Sequence, residues 1–288
     1  MKIAIIGTTP IMVLKALLLS KKHDVTVFEK TSKLGGAWSF GKFKNFSYSE
    51  KTNIIVPDNK LEEKFMIKII KYLSSNFKVK IYKNQKKYSN ITLYKPKKVF
   101  IFDINHLFKI LKKSKIKLKK KSWVKSLKIE KKVVKINSKL AFDKVYLPFF
   151  INLDTAIINN KKYFFPFKKV YNKHVHFITK KKFSEEFYYW ENYNKYLDRA
   201  QLLKNGPYYF FTARVRKIFK HLSSKKIFKL SEFNIQSKNL LRLKLIKYTH
   251  HFRNKSQIKK LLNIKKYKNI KIVDTRQFVD SFKKLRLI

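Results

Sequence analysis

Gly7, Thr8, Thr9 and Glu29 are the residues of this chain whose types and spacing point most directly to chemistry. Gly7 ends the short run Lys2–Ile6, Thr8 and Thr9 place two hydroxyls after it, and Glu29 follows Gly7 by 22 residues. A glycine at a strand-to-helix turn lets the backbone come close to a phosphate. An acid about 20 residues further on, at the end of the next strand, accepts hydrogen bonds from a ribose. Gly35 and Gly36 follow, with Trp38 behind them.

The elements that must position these residues are legible in the same stretch. Lys2–Ile6 is β-branched and short, as a buried strand is. Pro10 suits a first helical turn, and the run from Ile11 fills a helix interior. His23-Asp24 makes a turn, and Val25–Phe28 is a second β-branched and aromatic strand. Strand, turn, helix, strand and acid form a βαβ unit. Its two strands are expected to be adjacent and parallel, joined by a crossover through the helix at Ile11–Lys21.

The segments Lys2-Ile-Ala-Ile-Ile-Gly7, Val25-Thr-Val-Phe-Glu29-Lys30 and Lys33-Leu-Gly35-Gly36-Ala37-Trp38 resemble the N-terminus of FAD-dependent oxidoreductases. The nearest group is that of the amine oxidases, protoporphyrinogen oxidases and UDP-galactopyranose mutases. The resemblance implies an α/β fold: a Rossmann-like FAD/NAD(P)-binding domain with an inserted or appended α+β second domain. It implies FAD as cofactor, a small organic substrate, and cofactor contacts at Gly7, Thr8, Thr9, Glu29, Lys30, Gly35, Gly36 and Trp38. The resemblance names no catalytic residue. The chain departs from the Gly-x-Gly-x-x-Gly fingerprint, because Thr9 stands at the second glycine and Met12 at the third. The second glycine allows close approach to the pyrophosphate and the third allows helix-on-strand packing, so weakened cofactor binding is the expectation. No glycine follows Gly206, where the resemblance implies a closing Gly-Asp segment, which makes a reduced member of the group the expectation.

Residues 1–50 and 125–150, with part of 265–288, are expected to form the dinucleotide-binding domain. Residues 51–124 read as an inserted segment and 151–264 as an aromatic-rich α+β domain. Asp58 or Asn59 caps an expected helix carrying Leu61, Phe65, Ile69, Tyr72 and Leu73. Lys78–Tyr82 reads as a strand and Asn105–Leu111 as a helix. Ser126–Ile129 and Val133–Ile136 read as a hairpin and Lys144–Phe150 as a strand returning to the parallel sheet, so that residues 1–50 and 125–150 are expected to share one sheet. Tyr171–Thr179 alternates as a strand with His174 and His176 on one face. With no third ligand nearby they read as half-exposed strand histidines, and no metal site is expected. Ser184 is read as the cap of a helix carrying Phe187, Tyr188, Tyr189, Trp190 and Tyr193. Leu240–Tyr248 and Ile270–Val273 read as strands, the latter followed by a helix carrying Phe278, Phe282 and Leu285.

The chain has 288 residues, 70 basic and 17 acidic, for a net charge of +53. Its hydrophobic share of 44% separates it from disordered basic tails. Two readings of the charge stand. One is a basic surface that binds nucleic acid, anionic lipid or glycan, on a non-catalytic Rossmann-fold protein. The other is codon drift, since Lys, Asn, Ile, Phe and Tyr are abundant while only seven of the basic residues are Arg. Arg is the better phosphate fork, so any polyanion binding is expected to be non-specific. No cysteine is present, which excludes disulfides and thiolate chemistry. No apolar run reaches the roughly 20 residues of a membrane span. Pro10 and Lys15 interrupt the N-terminal apolar stretch, so it is not read as a signal peptide. A cytoplasmic protein is the expectation. Phosphate-loop, nucleophile-elbow and His-Glu-x-x-His motifs are absent.

Overall fold

A computed structural model describes residues 1–38, 40–49, 64, 79–83, 98–102, 104–148, 153, 155–158, 160–165, 168–184, 186–190, 194–219, 221–229, 235–252 and 267–273. The first elements are β1 Lys2–Ile6, α1 Pro10–Leu19, β2 Asp24–Phe28, β3 Phe40–Phe43 and β4 Phe46–Ser49. Then come β5 Val79–Lys83, β6 Lys98–Phe102, α2 Ile104–Lys113 and β7 Lys117–Lys119. Short strands follow: β8 Ser126–Ile129, β9 Val134–Ile136, β10 Leu140–Phe142, β11 Lys144–Pro148, β12 Thr155–Ile158 and β13 Lys161–Phe164. The rest comprises β14 Lys168–Thr179, β15 Phe187–Trp190, β16 Leu197–Asn205, β17 Tyr208–Val215, α3 Ser224–Lys229, β18 Leu240–Phe252 and β19 Ile270–Val273.

The chain divides into two compact units. Unit 1 comprises Met1–Ala37, Ile104–Lys169 and His251–Ile288; unit 2 comprises Trp38–Asp103 and Val170–His250. In unit 1 a five-stranded sheet runs in the order β19-β11-β1-β2-β7, with every pairing parallel. Ile3–Ile6 of β1 and Val25–Phe28 of β2 are all buried. Continuous burial of this kind is what a parallel sheet covered on both faces demands, and each such aliphatic side chain contributes about 1.5–3 kcal/mol. Helices α1 and α2 pack on each other. A second sheet of unit 1, β10-β9-β8-β12-β13, shares its apolar core with the first through Ala4, Phe28, Leu127, Val134, Phe142 and Leu147.

Unit 2 contains the sheet β15-β16-β17-β14-β18 and the hairpins β3–β4 and β5–β6. The central strand β17 is buried along nearly all its length. One core packs Val175, Phe177, Leu202, Phe211 and Ala213, and a separate one packs Tyr48, Ile178, Tyr208 and Phe210.

The βαβ unit is as its sequence predicts, with Lys2 level with Asp24 and Ile6 level with Phe28. Lys144–Pro148 does return beside β1. Three expectations change. The aromatic run after Ser184 is strand, not helix: Phe187–Trp190 pairs antiparallel with β16, Phe187 opposite Leu203 and Trp190 opposite Ala200. Aromatic side chains favour a pleated, half-buried surface, and the partner strand outweighs the cap-like Ser-Glu-Glu. His174 and His176 share a face as expected but are 5% and 3% exposed, because that face of the sheet is covered. Residues 126–136 form their hairpin in the second sheet of unit 1, not in the parallel one. The expected helices at 58–73 and after Ile270–Val273 lie outside the described residues, Lys64 apart.

Candidate functional site

The candidate site lies at the C-terminal ends of β1 and β2, where an open parallel sheet binds its ligands. Gly7 leaves β1 with φ +85°, in the left-handed region that favours glycine, and its N–H donates to the Phe28 carbonyl at 2.7 Å. A Cβ at this position would meet Pro148 Cγ at an ordinary 3.7 Å, so glycine is required here by conformation and not by crowding. Thr9 then caps α1 with extended backbone (φ −61°, ψ 154°), and its carbonyl accepts from Val13 N–H at 3.0 Å. Pro10 at the first helical position has no N–H, which leaves the Ile11 and Met12 amides without an intrahelical acceptor. With the positive end of the helix dipole, they form a favourable place for an anion.

Thr9 makes no side-chain cap. Its hydroxyl oxygen is buried and has no hydrogen-bond partner among the described residues. Met12 is fully buried, so the position that would carry the third glycine is filled by the helix–sheet core.

Glu29 follows β2 and is 5% exposed. Its N–H donates to the Lys119 carbonyl, and its own carbonyl accepts from Ser122 N–H, each at 2.8 Å. The carboxylate is held from two sides. Thr8, 1% exposed, donates its hydroxyl to Oε2. Thr31 approaches Oε1 with its N–H at 2.9 Å and its hydroxyl at 3.2 Å. The Thr8 hydroxyl also accepts from Gly35 N–H at 2.8 Å, which ties the glycine segment to the first turn. Gly35 and Gly36 both have positive φ, and a Cβ on Gly36 would meet nothing within 4 Å, so there is open space beside it. Lys30 is exposed and lies 3.7 Å above the Trp123 ring, with Lys125 at 4.9 Å from the same ring. Trp38 is half-buried at the end of the short 3₁₀ turn Gly36–Trp38.

Of the residues singled out from the sequence, Thr8, Glu29 and Gly35 thus form one hydrogen-bonded cluster, with Gly7 and Lys30 next to it in the chain. Thr31, Ser122 and Trp123 belong to the same neighbourhood and were not singled out. A threonine two residues after the acid is the one local signal for them; the other two come from a segment some 90 residues away in sequence, beyond β7.

Two other polar features lie apart from this cluster. Lys15 on α1 is buried 4.9 Å from the Tyr146 ring, and burial, with the charge of Lys144, lowers its pKa to about 8. A cleft of about 870 Å³ opens at the opposite end of the parallel strands, lined by Lys2, Lys22, His23, Asp24 and Asp143 among others. It sits past the C-terminal end of α1, where the dipole disfavours an anion. In unit 2, His176 Nε2 lies 3.4 Å from Thr212 Oγ1, and Gln201 Oε1 is buried without a hydrogen-bond partner among the described residues. Among the described residues no group of three His, Asp or Glu is placed to hold a metal, and no helix is long and apolar enough to cross a membrane.

Neither a protein-family model nor a curated protein matches the sequence. Solved structures match across nearly the whole chain. A candidate protoporphyrinogen oxidase from Exiguobacterium superposes with a TM-score of 0.62 at 9% identity, covering 99% of this chain and 97% of its own. A redesigned putrescine oxidase gives 0.61 at 9% identity over 98% and 94%. An oxidoreductase from Methanosarcina mazei gives 0.54 at 10% over 95% and 94%. The chain has the FAD-dependent oxidoreductase fold. At these identities the likeness is one of fold, and the residues must speak for the ligand. They fit a dinucleotide: a left-handed glycine turn, a helix N-terminus without a side-chain cap, an acid at the end of β2 and open space at Gly36.

Proposed function

We propose that this chain is a FAD-dependent flavoprotein oxidoreductase acting on a small organic substrate. The observation that carries the reading is the juxtaposition of the Gly7 turn, the α1 N-terminus and Glu29 at the ends of two adjacent parallel strands. The Ile11 and Met12 amides attract the pyrophosphate, and Gly7 lets the backbone approach it. Glu29 accepts hydrogen bonds from the adenosine ribose, and its charge repels a 2′-phosphate, which favours FAD over an NADP-type ligand. Gly35 and Gly36 flank the cofactor. The flavin supplies the redox chemistry when bound, and the protein orients it and the substrate.

Titrating FAD against the purified chain by flavin fluorescence tests this. The wild type is expected to bind, and Glu29→Ala to bind more weakly by about 1.5–3 kcal/mol, the value of a hydrogen bond to a charged group. Thr9→Gly is expected to bind more tightly by restoring close approach, less the cost of glycine flexibility. No binding by any of the three overturns the reading and leaves a Rossmann-type protein without its cofactor.

A cytoplasmic setting and non-specific contact with polyanions go with this proposal. The lysine surplus supports salt-dependent contact with phosphate chains and no reading of bases. A preference of 10³-fold or more for one duplex sequence, the range of specific binders, would overturn that part.

A further inference from the structure

We propose that Thr8 is the positioning residue that aims Glu29 at a ribose diol, an inference that rests on the dinucleotide reading above. Proton counting gives the direction of each bond. Gly35 N–H can only donate, so the Thr8 oxygen accepts from it at 2.8 Å. An ionised carboxylate can only accept, so the single Thr8 hydroxyl proton goes to Glu29 Oε2. Thr31 also has one hydroxyl proton, and two acceptors compete for it: the Lys33 carbonyl at 2.6 Å and Glu29 Oε1 at 3.2 Å. The shorter contact takes it. Oε1 is then held by the Thr31 backbone N–H at 2.9 Å.

One firm donor thus reaches each carboxylate oxygen, Thr8 on one and the Thr31 amide on the other. A carboxylate has about four lone-pair sites, so each oxygen keeps one for a ligand. Two acceptor sites on one fixed, planar group match the two hydroxyls of a ribose 2′,3′-diol. The Thr31 contact is a backbone bond that most residues would provide. The Thr8 contact is a property of the side chain, and it alone fixes the second oxygen. Without it Glu29 would keep its position in the chain but could rotate, and the pair of acceptors would no longer be presented together.

The test uses the full chain and two probes, ADP and 2′-deoxy-ADP, with affinities measured by competition against FAD. The wild type is expected to prefer ADP by about tenfold, the value of one hydrogen bond to a charged acceptor. Thr8→Val, nearly isosteric, is expected to weaken ADP by about tenfold while leaving 2′-deoxy-ADP within about twofold, so that the preference disappears. Thr8→Ser, which keeps the hydroxyl, is expected to restore both values. If Thr8→Val weakens both nucleotides equally, Thr8 is only a tether for Gly35 and the proposal falls while the cofactor reading stands. The same follows, with no variant needed, if the wild type binds ADP and 2′-deoxy-ADP alike. If the wild type binds neither nucleotide nor FAD, the cofactor reading falls and takes the proposal with it.

Discussion

Gly7 and Gly206 both hold the backbone in the left-handed region, at φ +85° and +61°, and they sit in opposite surroundings. Gly7 has only an ordinary contact waiting for a Cβ, whereas a Cβ on Gly206 would lie 2.3 Å from the Phe46 ring. Gly206-Pro207 joins β16 to β17 with Asn205 opposite Tyr208, the two-residue hairpin geometry in which glycine comes first. There the glycine closes a turn and makes room for an aromatic ring that itself packs edge-on against Tyr208. At Gly7 it closes a turn without crowding, and the nearest neighbour of a Cβ would be Pro148 Cγ at 3.7 Å. A left-handed glycine is therefore no sign of a ligand site by itself. The sign is an uncrowded one beside helix amides that lack an intrahelical acceptor and a held carboxylate.

Substitutions can break or sharpen this contrast. Gly206→Ala carries the largest expected effect, a loss of about 2–4 kcal/mol in urea unfolding, from strained backbone plus overpacking on Phe46. A loss of only about 1–2 kcal/mol, the conformational cost alone, would mean that the ring moves aside and that the turn is as open as the one at Gly7.

Next is Lys15→Met, which is expected to stabilise the chain at pH 7 by about 2–3 kcal/mol. Lys15 has its folded pKa lowered to about 8, so the unfolded chain binds more protons between pH 8 and the ordinary lysine range near 10.5. Wild-type stability should accordingly rise with pH across that window. The difference between variant and wild type should vanish above it, as unfolding midpoints at several pH values would reveal. A flat wild-type profile between pH 8 and 10 would contradict the assignment.

Gly7→Ala comes third, with a loss of about 1–2 kcal/mol from conformation alone, since no crowding is involved. The sharper readout is FAD affinity, which should fall by more than stability does. Gln201→Met is the smallest, neutral or stabilising by up to about 1 kcal/mol, because it removes a buried oxygen with no hydrogen-bond partner among the described residues. A clear loss of stability would show that the oxygen is satisfied in solution.

The parallel βαβ unit was legible because its signals are local: two β-branched runs, a glycine, a proline and an acid within thirty residues. What escaped reading depends on distant partners. Lys117–Lys119 is a strand only because β2 lies beside it, and its Lys-Leu-Lys sequence, exposed on both flanks, has no strand signal of its own. Phe187–Trp190 is a strand because β16 pairs with it, and an aromatic run satisfies helical and pleated spacing alike. Alternation put His174 and His176 on one face, but only tertiary packing decides whether that face is covered. Gly206-Pro207 between two apolar runs is itself a hairpin signal. At the site, residue types and spacing pointed to Gly7, Glu29 and the Gly35-Gly36 pair. The Thr8–Glu29 bond joins residues 21 apart and was not readable, because nothing in the spacing says where a threonine side chain turns.

The strand order of unit 1 also has a consequence in time. β11 ends at Pro148, and the strand that covers its outer edge, β19, begins at Ile270. At roughly 5–20 residues per second, the ribosome takes on the order of ten seconds to deliver that partner. During this interval the amides and carbonyls of β11 are an unpaired row that any other extended chain can join. A newborn copy is thus open to mispairing at the edge of β11 that faces away from β1, and a chaperone that covers Lys144–Pro148 would raise the yield of folded protein without touching the native state.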